Sequence, residues 1–394
     1  MFSRRTSWDR ATNRYTEALD RRRQSGRELL DLTASNPTII GLSFHEEEIL
    51  SALGRREALV YEPVAQGLLS AREAVSDYYL QKGWTVHPED LVLTTSTSEA
   101  YSFVFRLLCN PGDAVLVPLP SYPLFDFLAD LNDVMLVPYE LVYDHGWQID
   151  FSSLQAAMLR AASAGGSCRA VLVVQPNNPT GSYVKRHEAQ ELSRICLAGE
   201  MALIADEVFL DYALSGQSPF SFASSNETLT FTLSGLSKIA ALPQMKVAWI
   251  ACSGPTALKH EALARLEVVA DTYLSTNAPV LWAVPKLLAG RHNIQPQLMS
   301  RVRTNLAALD SRLASQNICS RLHLEGGWYA VLRVPALGSD EDLAVSLLDN
   351  RGVLLQPGHF YNFPTDGYLV ASLITPSREF EAGIDRALSF LASR

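Results

Sequence analysis

Short apolar runs of strand length recur along much of the chain, and most of them show no polar alternation. A sheet that is buried on both faces requires such runs, because each side chain then meets protein whichever way it points. We predict seven strands from them: Leu91–Leu93, Ala114–Val117, Val134–Val137, Ala170–Val174, Ala202–Ala205, Leu229–Leu233 and Val247–Ala251.

Stretches with helical spacing separate several of these runs. Between Glu99 and Cys109 the apolar positions fall on one helix face. They are Tyr101, Val104, Phe105 and Leu108. Repetition of strand, helix and strand predicts an α/β fold with a doubly wound, mainly parallel sheet of about seven strands.

The pattern changes near residue 256, where a mainly helical stretch begins and runs to residue 315. Short strands return at 328–334, 353–356 and 368–373, and a helix closes the chain. This tail predicts a smaller α+β domain, which a long helix joins to the sheet domain.

We assign residues 45–285 to the large domain, the one expected to bind a cofactor, and build the small domain from residues 1–44 and 286–394. Residues 7–24 are polar and rich in arginine. They predict an exposed helix with a solvated face rather than a basic binding site.

The net charge and the length of the apolar runs limit the kinds of partner that we expect for this chain. The 394 residues carry a formal net charge of -9 and a pI of about 5.4, whereas binding to nucleic acid usually requires a basic face. No apolar run reaches the roughly 18 residues that a membrane span needs, and the N-terminus lacks the apolar stretch of a signal peptide. We therefore expect neither nucleic acid nor membrane as a partner.

The five cysteines are scattered along the chain and include no CxxC pair. They favour neither a disulfide framework nor a metal site, so no metal is expected. A reducing, cytoplasmic setting fits this usage.

Lys238 follows a buried strand and lies among small and apolar residues, in Ser-Gly-Leu-Ser-Lys. A lysine in such a place is costly unless it is paired or neutralised. Formation of an imine with an aldehyde cofactor removes that cost, and desolvation lowers the pKa of the amine. Alone, this lysine is explained as well by a side chain that reaches solvent from a loop.

Asp206 ends another buried run, at the carboxyl end of a strand, where open α/β sheets bind ligands. A carboxylate there can pair with the protonated ring nitrogen of pyridoxal phosphate and keep the ring an electron sink. The alternative is an N-cap for a following helix.

Asn178 lies in the segment Gln-Pro-Asn-Asn-Pro-Thr-Gly, again directly after a buried strand. Its amide can donate to the 3′-oxygen of the same cofactor, and the segment also has the composition of a turn. We predict a cis peptide bond at Asn178–Pro179, with Leu119–Pro120 as the second candidate.

Ser96, Thr97 and Ser98 stand between a strand and an amphipathic helix. Ser96 and Glu99 have the spacing of a capping box, and a helix start of this kind also suits a phosphate group.

Tyr122 follows a further strand and can stack on a flat ring or simply pack in its loop. The chain contains neither the GxGxxG motif of nicotinamide-dependent dehydrogenases nor the GxxxxGK[ST] motif of P-loop proteins. No motif therefore supports either function.

These residues, in this order, resemble the fold type I pyridoxal-phosphate enzymes, specifically the class I/II aminotransferases. The resemblance runs from Asn36-Pro37 into the C-terminal domain, and its motifs are Asn-Asn-Pro-Thr-Gly, Asp-Glu-Val and Ser-Lys in series. It implies a transferase that moves an amino group between a small amine or amino acid and an oxo acid. The cofactor would be pyridoxal 5′-phosphate, held as a Schiff base on Lys238.

The same resemblance implies a role for each matching residue. Lys238 and Asp206 would be catalytic, the latter against the ring nitrogen. The remaining cofactor contacts would come from Ser96, Thr97, Ser98, Tyr122, Asn178, Lys246 and Tyr61. Because the match of Tyr61 is a tyrosine that reaches the phosphate of the neighbouring subunit, a homodimer with shared active sites is implied.

Three positions depart from the family pattern. Phe209 replaces a tyrosine that would bond the 3′-oxygen, and Lys246 replaces an arginine that would grip the phosphate with two prongs. Val370 occupies the position where relatives place an arginine that holds the α-carboxylate of the substrate. Substrate recognition would then depend on other groups, for which Asn36, His359 and Tyr361 are the candidates.

Other functions remain open at this stage. The same fold also supports decarboxylases, lyases and racemases that use pyridoxal phosphate. A cofactor-sensing regulator would need a DNA-binding module, for which this acidic chain leaves no room. The leading hypothesis is the aminotransferase.

Overall fold

Strands and helices alternate along most of the chain, as the computed structural model shows for residues 1–214, 216, 219–274 and 276–393, with only the backbone described at Leu124. The α-helices are α1 Arg14–Gln24, α2 Glu46–Leu53, α3 Leu69–Leu80, α4 Thr97–Leu108, α5 Leu124–Leu131, α6 Phe151–Ser163, α7 Arg186–Ala198, α8 Leu236–Ile239, α9 Thr256–Tyr273, α10 Ala278–Ala289, α11 Arg291–Leu313, α12 Asp340–Arg351 and α13 Ser377–Ala392.

The strands are β1 Leu30–Asp31, β2 Leu91–Thr94, β3 Ala114–Leu119, β4 Met135–Tyr143, β5 Trp147–Ile149, β6 Cys168–Val174, β7 Ala202–Asp206, β8 Thr230–Gly235, β9 Ala248–Ser253, β10 Ser320–Arg321, β11 Tyr329–Arg333, β12 Val353–Leu354, β13 Gln356–Pro357 and β14 Tyr368–Ser372. Short 3-10 helices lie at Arg4–Thr6, Pro37–Ile39, Arg56–Leu59, Pro88–Asp90, Phe222–Ser224, Pro243–Met245 and Gly358–Tyr361.

Eight strands form one sheet in the order β2-β9-β8-β7-β6-β3-β4-β5. Pairing is parallel from β8 through β4, whereas β9 is antiparallel to both of its neighbours and β5 is antiparallel to β4. The predicted fold class is confirmed, and the predicted strands all exist. The eighth strand, β5, escaped prediction because its three residues are too few to show a period.

Both faces of this sheet are covered, which explains why its strands read as continuous apolar runs. Helices α4, α5 and α9 pack on one face around Phe231 and Ile250. On the other face, α3 and α10 pack around Trp249, and α6 and α7 around Leu203. The described residues contain no helix that combines the length and apolar character of a membrane span.

A second, four-stranded antiparallel sheet has the order β10-β11-β14-β13, and β1 pairs in parallel with β12. One apolar cluster joins this region to both ends of the chain, since it holds Tyr15 and Leu32 together with Phe380 and Ile384. The 23-residue helix α11 leads into the region. The domain limits at residues 44 and 286 stay a prediction.

The predicted helix at residues 7–24 is correct only in its second half. Helix α1 begins at Arg14, because the side chain of Asn13 accepts the N–H of Thr16 at 2.7 Å and caps the first turn. The solvated face is also interrupted, since Arg22 is buried and donates to the carbonyl of Glu28.

Candidate active site

Five of the predicted residues lie along one edge of the large sheet. Because β9 alone is reversed between β2 and β8, the carboxyl ends of β2, β8, β7, β6 and β3 meet at this edge. Their positions follow from those strands: Ser96 after β2, Lys238 in α8 after β8, Asp206 at the end of β7, Asn178 after β6 and Tyr122 after β3. An edge of this kind is where open α/β sheets bind ligands.

The Lys238 side chain is surrounded by aromatic rings. Its Nζ lies 5.0 Å from the centre of the Trp328 ring and 5.4 Å from that of Phe209, and its carbonyl accepts the Tyr212 hydroxyl at 2.5 Å. Burial lowers the pKa of the amine to about 8, against a smaller opposing effect of the Asp206 charge. The neutral fraction of this amine near pH 7 is therefore far larger than that of an ordinary lysine, although the protonated form still predominates.

Gly235 sets the point at which the chain passes from β8 into α8, the helix that carries Lys238. A Cβ on Gly235 would lie 2.9 Å from both the Cα and the Cβ of Ala248 on the neighbouring strand. Only glycine permits this approach, so β8 can pair with β9 up to the start of α8.

Replacement of Lys238 by methionine is expected to stabilise the cofactor-free protein at pH 7. The pKa of the folded amine lies below its unfolded value of 10.5, so the penalty is complete below pH 8 and disappears as the pH rises towards 10.5. The gain in unfolding free energy at pH 7 should be at most about 3.5 kcal/mol, from a difference of about 2.5 pKa units at about 1.4 kcal/mol each. Urea unfolding at pH 7 and pH 9.5 should show a smaller gain at the higher pH, and an equal gain at both would contradict this account.

Asp206 is buried and receives one donor on each carboxylate oxygen. The Tyr101 hydroxyl donates to Oδ2 at 2.8 Å, and the Val208 N–H donates to Oδ1 at 3.1 Å. Burial raises the pKa of the carboxyl, and these two donors and the Lys238 charge act in the opposite direction. No helix follows Asp206 directly, so the N-cap alternative is wrong.

Glu207, the next residue, is also buried but belongs to a different network. Its carboxylate accepts the Ser221 hydroxyl at 2.6 Å, the Phe222 N–H at 2.7 Å and the Gln175 amide at 3.0 Å. Burial raises the pKa of this carboxyl to about 7 despite those donors. It ties the end of β7 to the start of the Asn178 segment.

The Asn178 segment has the predicted turn geometry. The bonds Asn178–Pro179 and Leu119–Pro120 are both cis, as predicted, and Gln175–Pro176, which was not predicted, is cis as well. The Oδ1 atom of Asn178 is buried and has no hydrogen-bond partner within the described chain. The amide oxygen is therefore a buried acceptor that no group of the described chain satisfies.

The start of α4 leaves donors free beside the sheet. Ser96 caps the helix by accepting the Glu99 N–H at 3.2 Å, while Glu99 reaches back to the N–H of Thr95 at 2.6 Å rather than to Ser96. The N–H groups of Thr97 and Ser98 donate no hydrogen bond within the described residues. Such free N–H groups at a helix start suit an anion.

Tyr122, Lys246 and Tyr61 lie on the surface of the single chain. The exposed fractions of Tyr122 and Tyr61 are 45% and 79%. Lys246 is exposed two residues before β9, whose amino end lies at the same sheet edge as Lys238. The contacts of the described chain do not join these three residues to the Lys238 group.

Val370 is fully buried in β14, opposite Val331 on one side and Gln356 on the other. The Tyr361 hydroxyl donates to Gln356, and the Tyr361 carbonyl accepts the N–H of Ser121 at 2.9 Å. Tyr361 thus connects the small sheet to the loop that carries Tyr122.

The other two predicted substrate residues make local contacts. His359 is exposed, with its ring 4.7 Å from that of Phe360. Asn36 is also exposed, and its side chain caps a short helix by accepting the N–H of Thr38 at 3.0 Å. These contacts place neither residue in the Lys238 group.

Three residues of the site were not predicted as functional: Tyr101, Tyr212 and Trp328. Tyr101 was assigned to the core because of its place on the apolar face of α4. The hydroxyl of Tyr101 on this otherwise apolar helix face was the one feature of the sequence that could have indicated a functional role. Tyr212 and Trp328 carried no signal, since their contacts with Lys238 come from distant parts of the chain. The described residues contain no group of three or more metal-binding side chains.

Comparisons with known proteins show the family of this chain. The family model described as "Aminotransferase class I and II" matches residues 45–377. A glutamate-pyruvate aminotransferase, AlaA, of Haemophilus influenzae is 26% identical over 395 residues, which covers 96% of this chain and 94% of that protein. An alanine aminotransferase of Mycobacterium tuberculosis is 27% identical over 380 residues, with 93% and 86% covered.

Solved structures show the same fold over the whole chain. An alanine aminotransferase from Pyrococcus furiosus has a TM-score of 0.89 at 22% identity, with 100% of both chains covered. A variant of the aspartate aminotransferase of Thermus thermophilus has a TM-score of 0.83 at 21% identity, with 99% of each chain covered.

Proposed function

This chain belongs to the family of class I and II aminotransferases, and on that premise we propose that it moves an amino group between a small amine or amino acid and an oxo acid, with pyridoxal 5′-phosphate held on Lys238. The observation that carries the proposal is the presence, at one sheet edge, of a buried amine of lowered pKa and a buried carboxylate whose charge acts on it. Perturbed ionisable groups in such a place are typical of active sites.

The residues present fit this cofactor. The neutral fraction of the Lys238 amine suits imine formation with an aldehyde. Under this proposal Asp206 would face the protonated ring nitrogen, and the Nδ2 group of Asn178, which donates no hydrogen bond within the described residues, would donate to the 3′-oxygen. The free N–H groups of Thr97 and Ser98 suit the phosphate, with the hydroxyls of Ser96, Thr97 and Ser98 beside them.

When bound, pyridoxal phosphate supplies an electron sink for the carbanion at the substrate α-carbon. The protein then has three tasks. Asp206 stabilises positive charge on the ring nitrogen, and Lys238 accepts and returns the proton at the α-carbon. The Phe209 and Trp328 rings, whose centres lie within 5.4 Å of the Lys238 amine, exclude water, and this burial lowers the pKa of the amine.

Phe209 cannot donate a hydrogen bond, so under this proposal Asn178 is left to hold the 3′-oxygen. Lys246 would act on the phosphate as a single point charge. Tyr122, which is 45% exposed at the sheet edge, would cover the ring. These assignments form part of the proposal.

The proposal includes a homodimer in which Tyr61 reaches the active site of the partner, and a cytoplasmic location. The exposure of Tyr61 supports the dimer, since its neighbours Leu59 and Val60 are also exposed, at 86% and 65%. Three adjacent large apolar side chains on a surface are typical of an interface.

The experiment that tests the function uses one half of the reaction. The holoprotein is mixed with alanine or glutamate, the substrates that the relatives' names indicate, without an oxo-acid acceptor. A transaminase releases one equivalent of oxo acid per bound cofactor and then stops. A decarboxylase would release carbon dioxide, a lyase ammonia and a racemase the D-amino acid, each with continued turnover.

The lack of charge at Val370 leads to a prediction about the choice of substrate. An arginine at this position could hold a carboxylate by a charge-assisted, two-pronged contact, which the uncharged face of Val331, Val370 and Gln356 cannot provide. We expect simple α-amino acids to react slowly with the wild type, with a low kcat/KM, so the half-reaction with alanine or glutamate needs a long incubation to reach its one equivalent. Val370→Arg should raise kcat/KM for alanine or aspartate by roughly tenfold or more, given the 1.5–3 kcal/mol of a hydrogen bond to a charged group.

Val331→Arg is the matched control, because Val331 lies directly opposite Val370 on the same face and is equally buried. It should give no such gain. Efficient wild-type turnover of alanine would show that another cation binds the carboxylate, and the change of substrate class would then be wrong although the aminotransferase would remain.

A further inference from the structure

Tyr101 occupies an unusual place for a core tyrosine. It lies in the first turns of α4, is almost completely buried, and directs its hydroxyl at the Asp206 carboxylate, with Oη 2.8 Å from Oδ2. Of the five buried residues of this helix, it alone has a polar side-chain atom: Ala100, Tyr101, Phe103, Val104 and Phe105. The apolar face of α4 thus delivers a single donor to the site.

Aromatic neighbours fix the Tyr101 ring. The ring of Phe125 meets it edge-on at 5.2 Å, and that of Phe105 lies 6.0 Å away. A phenol that is held in this way loses little further conformational entropy when it donates, so its direction is set before any ligand arrives.

The simplest explanation would be a buried hydroxyl that merely needs a partner. Tyr139 shows what that requires, since it is equally buried and donates at 2.8 Å to the backbone carbonyl of Leu172. Tyr101 instead donates to a side-chain carboxylate at the ligand-binding edge of the sheet. A donor in that position favours the ionised carboxylate over the neutral acid.

We propose that Tyr101 is a positioning residue, which holds the Asp206 carboxylate ionised and oriented towards the ring nitrogen of the cofactor. The inference rests on the proposed function and deepens it. Burial, together with the neighbouring Asp206 charge, raises the pKa of Tyr101 well above 10, so the phenol keeps its proton and remains a donor throughout the working range. The N–H of Val208 completes the support on the other carboxylate oxygen.

The test compares Tyr101→Phe with Tyr139→Phe, each of which removes one buried hydroxyl and one hydrogen bond of 2.8 Å. Both holoproteins are dialysed over a pH series, and the retained pyridoxal phosphate is measured by absorbance. We expect Tyr101→Phe to bind pyridoxal phosphate about tenfold more weakly, because the variant loses one hydrogen bond to a charged group. The acid limit, which is the lowest pH at which the protein still retains the cofactor, should also move up by about one pH unit. The reason is that the Asp206 carboxyl becomes protonated more easily.

Tyr139→Phe should lower thermal stability to a similar extent and leave the acid limit in place. If the two variants share the wild-type acid limit, Tyr101 has only a structural role and the inference is overturned. Should phenylalanine at 101 prevent folding, 3-fluorotyrosine at that position preserves the shape and strengthens the donor. The acid limit should then move to lower pH, and an unchanged limit would equally overturn the inference.

Asp206→Asn separates this inference from the proposed function. If that variant binds the cofactor and turns over as the wild type does, the proposed role of Asp206 fails and that of Tyr101 fails with it. If Asp206→Asn is impaired while Tyr101→Phe matches Tyr139→Phe, only the inference about Tyr101 fails.

Discussion

Lys238→Ala is expected to abolish covalent attachment of pyridoxal phosphate and to reduce transamination by several orders of magnitude. The change removes both the amine that forms the imine and the group that moves the proton at the α-carbon, so two contributions to the rate are lost together. Reduction with borohydride followed by peptide mapping should find the cofactor on Lys238 in the wild type and on no lysine in the variant.

The other lysines make this prediction specific. The chain has six, and four of them form ion pairs with carboxylates at 2.5 to 3.2 Å: Lys82, Lys185, Lys259 and Lys286. Lys246 is exposed. Lys259→Ala serves as the control, since it removes a lysine paired with Asp90 and should retain the cofactor. Trapped cofactor on a lysine other than Lys238 would refute the assignment.

Asp206→Asn should retain the fold and some cofactor but reduce kcat by roughly a hundredfold to ten-thousandfold, or about 3 to 5 kcal/mol of barrier. Asparagine preserves the shape of aspartate, and its Oδ1 can still accept from Tyr101 or Val208. It cannot stabilise a positive charge on the ring nitrogen, so the electron sink is lost. The measurement is kcat with saturating cofactor, beside the visible spectrum of the bound form.

Glu207→Gln is the matched control for this experiment. Glu207 is adjacent in sequence and completely buried, but its carboxylate binds Ser221, Phe222 and Gln175 rather than the residues of the site. The control should lose stability, because a glutamine cannot accept all three donors as a carboxylate does, and it should keep most of the kcat. Activity of Asp206→Asn close to the wild type would remove Asp206 from the mechanism.

The central sheet and the positions of Lys238, Asp206 and Asn178 could be predicted because their signals are local. A strand buried on both faces shows itself as an uninterrupted apolar run, and a residue just beyond the run must lie at the strand's end. The cis bonds at Leu119–Pro120 and Asn178–Pro179 were predictable for the same reason, since each lies in the turn that follows such a run. The start of α1 was misplaced because the mixed, mostly polar residues 7–13 show no period that separates a helix from an extended segment.

The contacts that give the site its chemistry could not be read in this way. Tyr101 reaches Asp206 across 105 positions of sequence, and Trp328 reaches Lys238 across 90. The hydroxyl of Tyr101 on the apolar face of α4 does not reveal whether the tyrosine only fills the core or also donates to a carboxylate, because both kinds of tyrosine lie on that face. The reversed direction of β9, which brings β2 to the same edge as β8, is likewise invisible in an apolar run.

The sequence by itself therefore determined the fold class, the family and the residues at the strand ends, because apolar periodicity and short motifs act over a few neighbouring residues. Only the tertiary structure decided which aromatic rings surround Lys238, which donors hold Asp206 and which predicted side chains stay at the surface. Those outcomes depend on burial and on hydrogen bonds between distant segments, whose energies shift the pKa of an amine or a carboxyl only after the chain has folded.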